Sequence, residues 1–291
     1  MRTSLASLLA LFILCPQVVE AAPKAQKVIE VPASGRWTEL IPTGTVVAYD
    51  RARAGKLTFK DRNGLEHYCT AQLTTAYDGS GTAPTQATLL LTAAHCARAG
   101  FTDFSFTSDD GSVTVVPTCV TRNIKWIDPD PLSQPSDPFI NIRFDYAFLK
   151  LLPATPPITN FYQIKWSGDW SDSSFRNEHI LEDNIAIIGV TAAGTLSKLS
   201  SGQVKMRPDF YHPKLNSLST ADLSFSFGTS GGAWLNNVNE IISIISSMAK
   251  TSNTGVPSYA TLYGPILHDD AHKLADYTEK STTVSFGECK P

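Results

Sequence analysis

Gly228-Thr229-Ser230-Gly231-Gly232 is the stretch on which the reading of this 291-residue chain turns. A serine between glycines can occupy a tight turn with its hydroxyl presented and the neighbouring amides free to donate, because glycine reaches backbone angles that other residues resist. A serine hydroxyl is a poor nucleophile until an imidazole takes its proton, and that imidazole needs a carboxylate to fix its tautomer. Both partners stand upstream. Thr92-Ala93-Ala94-His95-Cys96 offers the imidazole, and Asp145-Tyr146-Ala147-Phe148-Leu149-Lys150-Leu151 sets a carboxylate at the head of an apolar run. Taken singly, His95 reads as a core histidine, Asp145 as a strand-edge charge and Ser230 as a turn serine. Taken together, in the order His, Asp, Ser, they make a base, an orienting acid and a nucleophile.

Around these signals the chain has the rhythm of an antiparallel β protein. Short runs rich in branched and aromatic residues recur between Gly, Pro, Asp and Asn: Thr45 to Tyr49, Leu89 to Thr92, Ser112 to Val116, Tyr146 to Leu152, Ile185 to Val190 and Ile241 to Ile245. Turn-rich loops are expected at Asp78 to Thr88, Asp128 to Pro138 and Ser167 to Ser174. Pro153, Pro156 and Pro157 cannot continue a sheet and mark a crossing point between two units. His268 to Lys280 alone reads as a helix, with Leu274 and Tyr277 on one side. No internal repeat is present.

The first residues read as a secretory signal. Arg2 precedes an apolar run from Leu5 to Cys15, and Val19-Glu20-Ala21 suits a signal peptidase, with cleavage near Ala21 or Ala22. The run is too short to span a bilayer, and Leu14 before Cys15 does not suit a lipoprotein site. Residues 22–42 read as an N-terminal arm or propeptide. Of five cysteines, Cys15 leaves with the signal, and Cys69, Cys96, Cys119 and Cys289 remain for an oxidising compartment, so two disulfides are expected with three pairings open. Their spacing does not suggest zinc. Lys and Arg number 24 against 27 Asp and Glu, a net charge of -3 without a basic cluster, which disfavours a nucleic-acid role. A hydrophobic fraction of 42% is that of an ordinary folded protein.

The three blocks resemble the histidine, aspartate and serine motifs of the chymotrypsin/trypsin-like serine peptidases, and Tyr68-Cys69-Thr70-Ala71-Gln72-Leu73 is similar to that family's strand bearing the cysteine that bridges to the one after the histidine. The resemblance runs from about Thr43 to the C-terminal helix. It implies an all-β fold of two packed six-stranded antiparallel β-barrels with a C-terminal helix: residues 43–155 forming the first barrel, with His95 and Asp145, and residues 156–291 the second, with Ser230, the specificity pocket and the helix. It implies an oxyanion hole from the amides of Gly228 and Ser230, and a Cys69–Cys96 disulfide that leaves Cys119 for Cys289. It also implies a secreted, extracellular or periplasmic endopeptidase acting on protein or peptide substrates, with no cofactor, no metal, no nucleic-acid partner and no membrane association once the signal is removed.

The same resemblance assigns Ser224 to the floor of the primary pocket. Aligning Ser243-Ile244-Ile245-Ser246-Ser247-Met248 with the family's pocket strand adds Ser246 and Met248 to the pocket, with Met248 narrowing its entrance. A neutral floor cannot pair a buried Lys or Arg unless Asp222 reaches in, so small or medium uncharged residues are expected before the cleaved bond. Two departures stand out. Family zymogens mature when a new N-terminus, often Ile-Val-Gly-Gly, salt-bridges the aspartate just before the serine; here that position is Thr229, and the segment is missing. The site is therefore expected to be preformed or matured differently, as in bacterial-type relatives. The competing readings are an inactive homologue serving as a binding module, and an esterase on the same scaffold. His268 and His272, four apart on the helix, read as a solvated face, and His67, His179 and His212 as surface or loop residues. Trp166 and Trp170 flank a loop without an assigned role.

Overall fold

Leu89–Thr92 and Ala147–Lys150 pair antiparallel in the first half of the chain, with Leu90 opposite Leu149 and Thr92 opposite Ala147. Leu89, Leu90, Leu91, Phe148 and Leu149 are fully buried, so these strands are covered on both faces, which is why they read as unbroken apolar runs without alternation. The structure is a computed structural model and describes residues 49–126, 142–166, 179–209, 212–219, 228–250, 260–265, 267–283 and 286–290. The signal segment 1–21, the arm 22–42, Ser224, Asp222, Trp170 and the loops at Asp128 to Pro138 and Ser167 to Ser174 lie outside the described residues.

In chain order the first seven strands are β1 (Ala54–Lys60), β2 (Glu66–Thr74), β3 (Leu89–Thr92), β4 (Thr102–Ser108), β5 (Thr114–Val115), β6 (Cys119–Arg122) and β7 (Ala147–Lys150). They form one sheet in the order β5-β4-β1-β2-β3-β7-β6. Its edge strands β5 and β6 are separated in the chain only by Val116, Pro117 and Thr118. Four Cα steps reach about 14 Å at most, so the two edges lie side by side and the sheet curls into a barrel. Pro117 has no N–H to give the ladder, which is where the strand breaks. Counted as one interrupted strand, β5 and β6 make the barrel six-stranded.

The second half repeats the device. β8 (Gln163–Ile164), β9 (His179–Val190), β10 (Leu196–Asp209), β11 (His212–Ser219), β12 (Ala233–Leu235), β13 (Glu240–Ile244), β14 (Ser247–Lys250) and β15 (Ala260–Gly264) order as β14-β15-β11-β10-β9-β12-β13-β8. Only Ile245 and Ser246 separate β13 from β14, although these strands sit near opposite ends of the order, so this sheet also closes through a broken strand. β8 is an addition that pairs in parallel with β13. Among the described residues the molecule is thus mostly β, with two curled antiparallel sheets and a C-terminal helix.

That helix, α1 (Asp269–Lys280), follows the second barrel in the chain but packs on β3, β6 and β7 of the first. Its buried residues Ala271, Ala275 and Thr278 recur at helical spacing. Lys150 of β7 donates to the carbonyls of Glu279, at 2.8 Å, and Ser281, placing a cation where the helix leaves its last carbonyls open. The expected helix started at His268. The residue instead caps it, Nδ1 accepting the Asp270 N–H at 3.1 Å. The tail then lies along β6, Val120 exchanging backbone hydrogen bonds with Gly287 and Cys289 at 2.9 and 3.0 Å, and Cys119 is joined to Cys289 by a disulfide.

The barrels meet through β2, β9 and the turn after β4. Asp109, buried in that turn, pairs with Arg51 and accepts the Leu196 N–H of the second barrel at 2.6 Å. The proline stretch 153–157 falls between β7 and β8, in the connection from one barrel to the other.

Candidate active site

The β3–β7 register brings the histidine and the aspartate together. Thr92 pairs with Ala147, so the chain just after β3 and the chain just before β7 emerge at the same end. His95 sits there in a single 3₁₀ turn, Ala94–Cys96, and Asp145 two residues ahead of β7. His95 Nδ1 lies 2.8 Å from Asp145 Oδ2, and the His95 backbone N–H donates to Oδ1 at 2.9 Å. A third donor arrives from the other barrel: Ser246 Oγ donates to Asp145 Oδ2 at 2.5 Å. Asp145 is only 4% exposed, so it is a buried acceptor filled from three sides. With an acceptor-only carboxylate at Nδ1, the proton of a neutral His95 belongs on Nδ1, which leaves Nε2 as a base.

The resemblance assigns Ser246 to the substrate pocket. It lies in the break between β13 and β14, is buried, and its hydroxyl donates to Asp145. Of the other two pocket residues, Met248 belongs to β14, where its side chain lies outside the description, and Ser224 lies outside altogether.

Ser230 sits on a turn whose shape needs its glycines. Gly228 has φ +106° and Gly231 φ +81°, left-handed conformations that a side chain strains. A Cβ at Gly228 would overlap the Tyr68 ring, and one at Gly231 would overlap the Thr70 carbonyl and the Thr92 hydroxyl. The turn is thereby pressed against Thr92 and Ala93, immediately before His95. No hydrogen bond joins Ser230 Oγ to His95 among the described residues; in sites of this kind the nucleophile–base contact often tightens only when substrate is bound.

The carbonyls of residues 228–232 are all engaged. Gly228 accepts from Thr70 Oγ1 at 2.8 Å, Ser230 from the Thr70 N–H at 2.8 Å and Gly231 from Gln72 Nε2 at 2.9 Å, while Thr229 accepts from the Gly232 N–H and Gly232 from the Ile245 N–H. Among the described residues the N–H groups of Gly228 and Ser230 meet no protein acceptor. Two unpartnered amides beside a serine, with a carboxylate-held imidazole adjoining, form a constellation that can stabilise an oxyanion.

Two solved structures similar to the chain are forms of the HtrA-type protease AlgW, each with a tripeptide, at 12% and 14% identity and TM-scores of 0.41 and 0.40. The likeness covers 74% and 73% of this chain and 56% of each of those chains, so this chain spans about half their length. No protein-family model matches the sequence, and no curated protein does.

Cys69 and Cys96 are joined by a disulfide directly beside His95. These three side chains fall within 4.8 Å of one another, but both sulfurs are committed to the bridge and cannot serve as thiolate ligands. The histidines of the helix do not form the solvated face expected of them. His272 packs on Trp166 with ring centroids 4.9 Å apart and bonds the Ala76 carbonyl at 3.0 Å, while burial holds the His268 imidazole below its ordinary range. Trp166 itself donates to the Tyr77 carbonyl at 2.9 Å, fixing the start of the 78–88 loop. His67 is exposed on β2 beside Asp61 at 3.1 Å, and His179 and His212 have their backbones in β9 and β11. Thr70, Gln72 and Thr92 fall within the Tyr68–Leu73 and Thr92–Cys96 blocks, where the sequence gives them no role at the Ser230 turn; the alternation of Thr70 and Gln72 along one strand face is the signal that points to it.

Proposed function

We propose that the chain is a secreted serine endopeptidase of the chymotrypsin/trypsin-like kind. The observation that carries this reading is the buried Asp145 holding His95 by both its Nδ1 and its backbone N–H, at the edge of the glycine turn that bears Ser230. Ser230 Oγ attacks the scissile carbonyl while His95 Nε2 takes its proton. The carbonyl oxygen becomes an oxyanion facing the N–H groups of Gly228 and Ser230, each such donor contributing about 3 to 4 kcal/mol in comparable sites. His95 returns its proton to the leaving amine, releasing the first product and leaving an acyl group on Ser230. Water then attacks the acyl carbon, with His95 again as base; His95 passes that proton to Ser230 Oγ as the ester bond breaks, and the second product leaves as the acid. Asp145 stays a carboxylate throughout, orienting His95 and stabilising the imidazolium. The leader-like segment 1–21 and the two disulfides support export to an oxidising compartment.

The test is a fluorophosphonate probe followed by peptide mapping, with Ser230→Ala and His95→Ala as controls. Labelling on Ser230 together with release of peptides from a mixed protein digest is the expected result. Labelling with ester turnover but no peptide cleavage makes the chain an esterase. An unlabelled, folded wild type makes it an inactive homologue.

A further inference from the structure

Tyr68, Thr70 and Gln72 alternate along β2 and therefore share one face of the strand. All three touch the turn that carries Ser230. The Tyr68 ring fills the space beside the Gly228 Cα; Thr70 holds the carbonyl of Gly228 with its hydroxyl and that of Ser230 with its N–H; Gln72 holds the carbonyl of Gly231. Thr70 is completely buried, and its hydroxyl has no freedom of direction. The Val190 N–H donates to Thr70 Oγ1 at 2.7 Å, and a backbone N–H can only donate, so the hydroxyl proton is committed to the Gly228 carbonyl. The relay runs one way, from Val190 through Thr70 to Gly228.

We propose that Thr70 is a positioning residue: it holds the carbonyls of Gly228 and Ser230, on the peptides either side of the Thr229–Ser230 peptide, so that the Ser230 N–H stays turned toward the oxyanion, and this strand face keeps the site competent without a trigger from a new N-terminus. The inference rests on the reading of Ser230 as the nucleophile. Its physical content is that the Thr229–Ser230 peptide, with its own carbonyl held by the Gly232 N–H and a Thr70-held peptide on each side, cannot flip without breaking buried hydrogen bonds. Thr229 offers no carboxylate for a terminal amine to engage, and the constraint comes from the neighbouring barrel instead. Losing the hydroxyl strands a buried carbonyl and a buried N–H together, so the turn gains reason to rearrange.

The experiment compares wild type, Thr70→Val and Thr70→Ser of the full mature chain. Thr70→Val keeps the shape and removes the relay; kcat is expected to fall 30-fold or more with KM within threefold, and affinity for a peptide aldehyde, whose tetrahedral adduct uses the same amides, to weaken by a similar factor. Thr70→Ser restores the hydroxyl and is expected to return kcat to within threefold of wild type. A folded Thr70→Val with kcat and aldehyde affinity within threefold of wild type overturns the proposal while leaving the nucleophile assignment intact. Should Thr70→Val not fold, Gln72→Met removes the Gly231 anchor alone: a loss in kcat without a loss in KM supports the strand-face account, and unchanged kinetics overturn it. A wild type that neither labels at Ser230 nor turns over substrate removes the underlying reading, and the proposal with it.

Discussion

Ser246 and Asp145 come from different barrels, and the hydroxyl of the first donates to the carboxylate of the second at 2.5 Å. Ser246 occupies the gap where the second barrel's strand is interrupted; the Tyr263 carbonyl holds its N–H at 2.9 Å, and its hydroxyl reaches across to the first barrel. A hydrogen bond to a charged group is worth about 1.5 to 3 kcal/mol. Ser246→Ala is therefore expected to lower kcat roughly tenfold to a hundredfold with little change in KM, by loosening the carboxylate that aligns His95. Steady-state kinetics beside a melting curve measure it; a variant with full kcat would show that Asp145 needs only its two contacts with His95.

Gly228→Ala tests the turn from the opposite side. The new methyl group meets the Tyr68 ring in a backbone region that disfavours it, so the Gly228 amide is expected to move. Removing one oxyanion donor costs about 10² to 10³ in kcat. A loss of that size, with the variant still folded by circular dichroism, is the expected outcome; unimpaired turnover would mean that this amide takes no part.

The seat of helix α1 has a pH dependence that can be isolated. Burial chiefly, with Arg143 and Lys125 adding repulsion against the attraction of Asp270 and Asp269, lowers the His268 pKa, and protonation would also remove the Nδ1 acceptor that caps the helix. An unfolded imidazole takes its proton near pH 6.5. The unfolded state thus binds the proton more readily, and stability falls as the pH drops below about 6.5. His268→Asn keeps a cap acceptor without titrating, at a cost within about 1 kcal/mol. Between pH 7 and pH 5 wild type is expected to lose more Tm than His268→Asn; parallel profiles would dissociate the effect from this residue.

The proposed pocket, with the neutral Ser224 at its floor and Met248 at its entrance, carries an expectation about cleavage preference. On a panel of peptides varied before the scissile bond, small and medium uncharged residues are expected to give the highest kcat/KM. Fastest turnover of the Arg or Lys member by tenfold or more would show that a carboxylate, Asp222 foremost, reaches the pocket.

What the sequence made legible was local. The Leu89–Thr92 and Ala147–Lys150 runs, the turn around Ser230 and the helix end at Lys280 each depend on neighbours a few residues apart, and periodicity or glycine chemistry reports those directly. The contacts that tune the site join Ser246 to Asp145 across 101 residues and Thr70 to Gly228 across 158, and no local pattern encodes such a pairing. The helix shows the same divide. Spacing put His268 and His272 on one side of it, but only packing decides that this side faces Trp166 and the Ala76 carbonyl. The Ser112 to Val116 run stops at Pro117, which has no N–H for a ladder; that the pieces on its two sides lie at opposite edges of one sheet is not a local property.

The Cys119–Cys289 bridge spans 170 residues and ties the first barrel to the end of the chain. A nick anywhere between these cysteines, in the Pro153–Pro157 connector or in the chain carrying the second barrel, leaves one covalent molecule of two polypeptides. The carboxy-terminal piece also remains seated on the first barrel through α1. A nicked sample would then migrate as intact protein on a non-reducing gel and separate into fragments only when reduced, and it would keep His95, Asp145 and Ser230 on a single particle after its backbone had been cut.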